Sequence, residues 1–93
     1  MESVVQKQKQ CLICKTTKDL HEHHVFYGTG NRKVSERLGM KVYLCKYHHN
    51  GSDAGVHFDR ELDLRIKRAC QYIYERDIGT REEFIKDFGR SYL

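Results

Sequence analysis

Between Asp59 and Asp77, Leu62, Ile66, Ala69, Cys70 and Ile73 recur at helical spacing, while Arg60, Asp63, Arg65, Lys67 and Arg68 fall largely around the other sides. This period predicts a long amphipathic helix whose apolar stripe must face a sheet. Asp59 supplies its N-cap and Gly79 stops it near Asp77. Thr80-Arg81-Glu82-Glu83 then reads as a capping box, opening a last helix over about 81–88 that Gly89 ends. Phe84, Ile85 and Phe88 are its docking residues, and the long helix is their expected partner.

Upstream the apolar pattern is shorter and richer in β-branched and aromatic residues. Val25-Phe26-Tyr27 predicts a strand ended by Gly28-Thr29-Gly30, and Lys41-Val42-Tyr43-Leu44 a second strand running into Cys45. Between them Asn31 can cap a short helix over Arg32–Leu38 with Gly39 as its stop, and Gly51–Gly55 reads as a flexible turn. Residues 1–10, rich in Gln and Lys, predict a flexible polar arm, leaving 11–93 as one domain. The expected fold is a small α+β unit: a β-hairpin, a long helix, a short helix between the strands and a C-terminal helix.

Composition sharpens this in two ways. With 93 residues, 32% of them charged, no Trp and no Pro, the chain can build only a thin core. No apolar run approaches the ~20 residues of a membrane span, and the first ten residues lack the apolar segment of a signal peptide. A cytoplasmic protein, in the host cell if phage-encoded, is the expectation. A net charge of +4 and a pI near 8.9 suit a phosphate-bearing partner without proving one.

The chemistry lies in residues 11–57, which hold Cys11, Cys14, Cys45 and all six histidines. Cys11-x-x-Cys14 and Cys45-x-x-His48 have the spacing of a closed tetrahedral zinc knuckle, with His21 and His49 as alternatives to His48 for the fourth position. These ligands arrive just before the first strand and just after the second, so one ion would tie the hairpin's ends together. Cys70 lies on the apolar face of the long helix and reads as a small buried hydrophobe. His23, His24, His49 and His57 exceed what one structural zinc can use. A hydrolytic site needs a base for water and a cation for phosphate oxygens, and histidine can serve either as base or as ligand.

Leu20-His21-Glu22-His23-His24-Val25-Phe26, followed by Tyr43-Leu44-Cys45-Lys46-Tyr47-His48-His49, resembles the HNH pattern of the ββα-metal endonucleases. His23–Gly28, Gly55–Asp63 and Phe88–Leu93 are more narrowly similar to small phage-associated HNH proteins and to the catalytic domain of Ref-type RecA-dependent nucleases. The resemblance implies a zinc-stapled ββα-metal fold that hydrolyses DNA phosphodiester bonds to 5′-phosphate and 3′-hydroxyl ends. It implies His24 as general base and His23 as ligand of one Mg²⁺ or Mn²⁺, with His49 or His57 as the second ligand. Arg32, Lys33, Arg37, Lys41 and Arg60 are the candidate DNA contacts, with weak sequence preference, and Thr29 and Asn31 lie where a backbone could approach closely. A RecA-type filament, or another phage recombination or packaging protein, is the implied partner of a monomer or homodimer. Two departures stand out. His48 replaces the usual knuckle Cys, and Lys41 replaces the usual Asn four residues before Cys45, a bracing role for which Asn31 is the substitute candidate. A non-catalytic zinc-binding module that binds DNA or a recombination protein is the alternative.

Overall fold

The computed structural model describes residues 1–28, 30–51 and 55–93. Thr29 and most of the Gly51–Gly55 turn lie outside the described residues. Six elements follow in order: strand β1 (Leu20–His24), helix α1 (Asn31–Leu38), strand β2 (Lys41–Cys45), a single π-helical turn (Tyr47–Gly51), helix α2 (Arg60–Asp77) and helix α3 (Arg81–Phe88). The chain is a small α+β unit built on one antiparallel strand pair and three α-helices.

β1 starts earlier than the apolar pattern predicts. The paired residues are Leu20↔Cys45 through His24↔Lys41, so the histidines form the strand itself, and Val25 N–H→Met40 O (3.0 Å) is the bond that continues the pairing past His24. Val25 and Phe26, expected in the strand, turn inward and are fully buried. Ser35 fixes that turn: its hydroxyl donates to the Phe26 carbonyl (2.6 Å) and accepts the Phe26 N–H (3.2 Å). The buried Phe26 peptide thereby finds both of its hydrogen bonds without a strand partner.

α1 spans the predicted residues, but its N-cap position is Gly30, and Asn31 sends its side-chain amide to the Phe88 carbonyl (3.5 Å) instead of capping. α2 is capped as expected by Asp59, whose carboxylate accepts the Leu62 N–H at 3.0 Å. Its inward face carries Ile66, Cys70 and Tyr74, together with the buried Gln71 and Asp63. Asp63, expected on an outer side, is neutralised there by Lys67 at 2.8 Å. The capping box of α3 forms in full between Thr80 and Glu83. Phe84 and Phe88 dock α3 against both α1 and α2, whereas Ile85 stays substantially exposed. Phe26 is the hub of this small core, stacking on Phe88 (4.3 Å between centroids), Phe84 (5.2 Å) and Tyr92 (5.5 Å).

The first ten residues do not project as a free arm. Val4 N–H bonds the Gly39 carbonyl (2.9 Å), the Ser3 hydroxyl bonds the Lys41 carbonyl, and the Gln6 side chain accepts the Tyr43 N–H (2.8 Å). These bonds cover the open edge of β2, which a two-stranded sheet would otherwise present to solvent. Gly39 sits at φ 73°, and a Cβ there would meet the Glu2 carbonyl oxygen. Gly39→Ala should therefore destabilise the domain by more than the ~1 kcal/mol of a left-handed alanine. Deleting residues 1–5 in the same variant should bring the substitution's cost back to about that value, as measured by urea unfolding with and without the deletion.

Candidate metal centres and the histidine cleft

Strand alternation sorts the β1 side chains. Odd-numbered His21 and His23 leave one face, and even-numbered Glu22 and His24 leave the other. The two faces meet different chemistry.

At the Leu20–Cys45 end the knuckle residues converge. Cys14 Sγ lies 3.8 Å from Cys45 Sγ, and His48 Nδ1 lies 3.3 Å from Cys45 Sγ and 3.7 Å from Cys11 Sγ. Bonds of ~2.3 Å to sulfur and ~2.0–2.1 Å to nitrogen around a tetrahedral ion put sulfurs about 3.8 Å apart and sulfur and nitrogen about 3.6 Å apart. The four side chains are therefore spaced as the ligands of one ion and can hold a metal ion. His48 is the fourth member, and neither His21 nor His49 takes its place. Burial pushes the Cys11 thiol up, but the N–H groups of Cys14, Cys45 and Ile13 outweigh it and bring the group down to about 6. That favours the thiolate a metal needs. Cys70 is the contrast: burial alone pushes its thiol up to about 12, leaving an inert core side chain.

The second cluster stands beside the first. The π-turn carries His48 into the knuckle and His49 toward β1, while Val56 N–H→His48 O (2.8 Å) and His57 N–H→His49 O (3.3 Å) bring His57 alongside. His23, His49 and His57 each offer a ring nitrogen within 4.8 Å of the others, so the choice between His49 and His57 dissolves: both join His23. The Nε2 atoms of His49 and His57 are 3.1 Å apart. His23 Nε2 is buried and has no hydrogen-bond partner among the described residues, an exceptional state for a ring nitrogen unless a ligand completes it. Burial, reinforced by His49, His57 and Lys67, holds His23 neutral by pulling its pKa down to about 3. Behind the trio, His21 Nδ1 meets His49 Nδ1 at 2.8 Å. If His49 donates there, its Nε2 keeps a lone pair for a metal, the outer-shell arrangement that orients metal-binding imidazoles. The three histidines can hold a second metal ion.

His24 leaves the opposite face yet lines the same open cleft, of about 230 Å³, with Glu22, His23, Tyr27, Arg32, His49 and His57. Its Nε2 lies 3.2 Å from Glu36 Oε1, on α1. Arg32 and Lys33 border an adjoining opening with His24 and Glu36, and both are exposed. Arg37 is exposed but lies 3.8 Å from Asp87. Arg60 is exposed at the start of α2. Lys41 departs from its expected role as a DNA contact. Its side chain is only 7% exposed, and its ammonium sits between Glu22 (3.1 Å) and Glu36 (3.0 Å). Both carboxylates raise its pKa, Glu36 most, so it is a committed internal cation rather than a free one.

Two participants carry little local signal of the part they play here. Glu36 is one of several charges on a short helix, and it is the α1–β1 packing that brings it to His24. His21 was weighed only as a knuckle alternative, although a strand over 20–24 would have put it on the face of His23 by alternation alone. No protein-family model matches the chain, and no curated protein or solved structure is similar enough to match it.

A chelator strong enough to strip the Cys/His cluster should lower the thermal midpoint and the helical circular dichroism signal, because a core this thin leans on the staple. Cys45→Ser should do the same and lose one bound metal per chain by elemental analysis. Cys70→Ala should keep the full metal count. An unchanged fold after complete metal removal would refute the stapling role.

Proposed function

We propose that this chain is a metal-dependent endonuclease of the HNH kind, hydrolysing DNA phosphodiester bonds, with zinc in its Cys11–Cys14–Cys45–His48 cluster. Three thiolates and one imidazole leave no open position and suit a structural zinc. The observation that carries the catalytic reading is the trio His23–His49–His57 in an open cleft that also contains His24.

The trio supplies three imidazole nitrogens and no carboxylate. Mg²⁺ takes oxygen ligands, so this donor set fits it poorly; a first-row transition ion fits, and of the two ions the resemblance implies, Mn²⁺ belongs to that series. When bound, such an ion supplies positive charge for the phosphate oxygens. His24 is the imidazole of the cleft that stays outside the trio, which leaves it free to take a proton from the attacking water. Arg32 at the rim is placed to hold a neighbouring phosphate, with Lys33 beside it. The small cleft, with no base-reading element among the described residues, favours phosphate-driven, salt-sensitive binding with weak sequence preference.

Purified protein with Mn²⁺ should nick plasmid DNA and should do so faster than with Mg²⁺. His24→Ala should reduce the rate by about 10²–10⁴-fold, the range of general-base contributions, with circular dichroism and metal content unchanged. Equal cleavage by both proteins would point to a contaminating nuclease and overturn the mechanism. DNA binding without cleavage, unaffected by loss of His24, would identify a non-catalytic zinc module instead.

A further inference from the structure

We infer that Glu36 is the positioning residue for His24: its carboxylate accepts the His24 Nε2–H and leaves Nδ1 as the basic nitrogen facing the cleft. This rests on the nuclease reading of His24. The contact is Nε2···Oε1 at 3.2 Å, between the last residue of β1 and the second turn of α1. A carboxylate can only accept, so a neutral His24 bonded to it must carry its proton on Nε2 and its lone pair on Nδ1. Among the described residues Nδ1 has no hydrogen-bond partner, and the ring borders the histidine cleft.

Glu36 is itself held. Lys41 Nζ reaches both of its oxygens (3.0 and 3.3 Å) and the Met1 amino group reaches one (3.1 Å). Lys41 in turn is fixed by Glu22 at 3.1 Å. These cations, Lys41 first, hold the Glu36 carboxyl down to about 2, so it is an anion under any ordinary assay condition. The charged groups around His24 on this side are therefore Glu36, Lys41, Glu22, the Met1 amino group, Arg32 and Lys33. Of these groups, Glu36 is the one hydrogen-bonded to the ring among the described residues. A base whose second nitrogen is anchored by a third group is the arrangement by which an imidazole is kept in one tautomer and one orientation. As the water proton moves to Nδ1, the resulting imidazolium keeps its Nε2–H on an anion. Lys41 stands where the resemblance expects Asn, and through Glu36 it would brace the base from the opposite side.

The test compares wild type with Glu36→Ala, Glu36→Gln and Glu36→Asp. Long-range ¹H–¹⁵N correlation spectra of the zinc-loaded proteins read the His24 tautomer, and plasmid nicking with Mn²⁺ reads kcat and KM. Wild type should show a protonated Nε2 and a lone-pair Nδ1, and Glu36→Ala should lose that preference. Its kcat should fall by about 10²-fold with KM within about twofold, and Glu36→Gln, whose amide oxygen still accepts, should recover more than Glu36→Ala. A structural Glu36 would lower thermal stability while leaving tautomer and kcat unchanged, and that result overturns the proposal. If wild type does not cleave but its tautomer depends on Glu36, the nuclease reading fails and the contact stands. If wild type cleaves and Glu36→Ala cleaves equally well, the positioning role alone fails.

Discussion

The register of β1 against β2 is the constraint on which everything else depends. With Leu20 opposite Cys45 and His24 opposite Lys41, one five-residue strand delivers His21 and His23 to one side and Glu22 and His24 to the other. A slip of one residue would exchange the faces and dismantle both the histidine trio and the Glu22–Lys41–Glu36–His24 chain. The register is pinned at each end. Lys46 N–H→Asp19 O (3.0 Å) holds the knuckle end, and Val25 N–H→Met40 O (3.0 Å) holds the other. Lys41, buried between two carboxylates, adds a side-chain lock, since its charge is compensated only in this pairing.

A two-stranded sheet is marginal alone, and this one draws support from each side. The polar N-terminal residues close the free edge of β2, α1 and α3 pack around Phe26, and the Cys/His cluster ties Cys11 and Cys14 to the far end of the hairpin. The Cys/His cluster also bears on the histidine cleft. His48 and His49 are consecutive in the π-turn, so the residue that completes the first cluster sets where the trio's second imidazole begins. π-helical turns are uncommon and gather at functional sites, because the wider turn re-aims side chains that an α-turn would send elsewhere.

How far the sequence could be read follows from which residues have local causes. The Cys/His cluster is legible because a two-residue gap brings its pair of side chains to one side of a tight loop whatever surrounds them. Asp59, Thr80–Glu83 and Gly39 were legible because caps and left-handed stops act within one turn. β1 was displaced because Val25-Phe26-Tyr27 has the stronger strand propensity, yet Phe26 satisfies its backbone through Ser35 and spends its side chain on the core. Leu-His-Glu-His-His has almost no apolar signal, and only pairing with Lys41–Cys45 makes it a strand. The arm was misjudged for a related reason: Gln6 and Ser3 are polar because they bond a sheet edge, not because they are solvated. Lys41 looked like a surface cation, since nothing local to it reveals that Glu22 and Glu36 approach from two other elements.

The same geometry explains why His23 and His24, adjacent and chemically identical, are not interchangeable. His23 is buried, neutral and lacks a partner at Nε2, surrounded by imidazoles that add no negative charge. Such a group could hold a cation that tolerates nitrogen donors. His24, one residue on, faces a carboxylate that a buried lysine and an amino terminus keep ionised. An anion at Nε2 stabilises an imidazole that must gain a proton, and would be wasted on one that must stay neutral. The strand's two-residue period thus gives two adjacent histidines different surroundings across a single peptide bond, and the cleft brings the two side chains back to one opening.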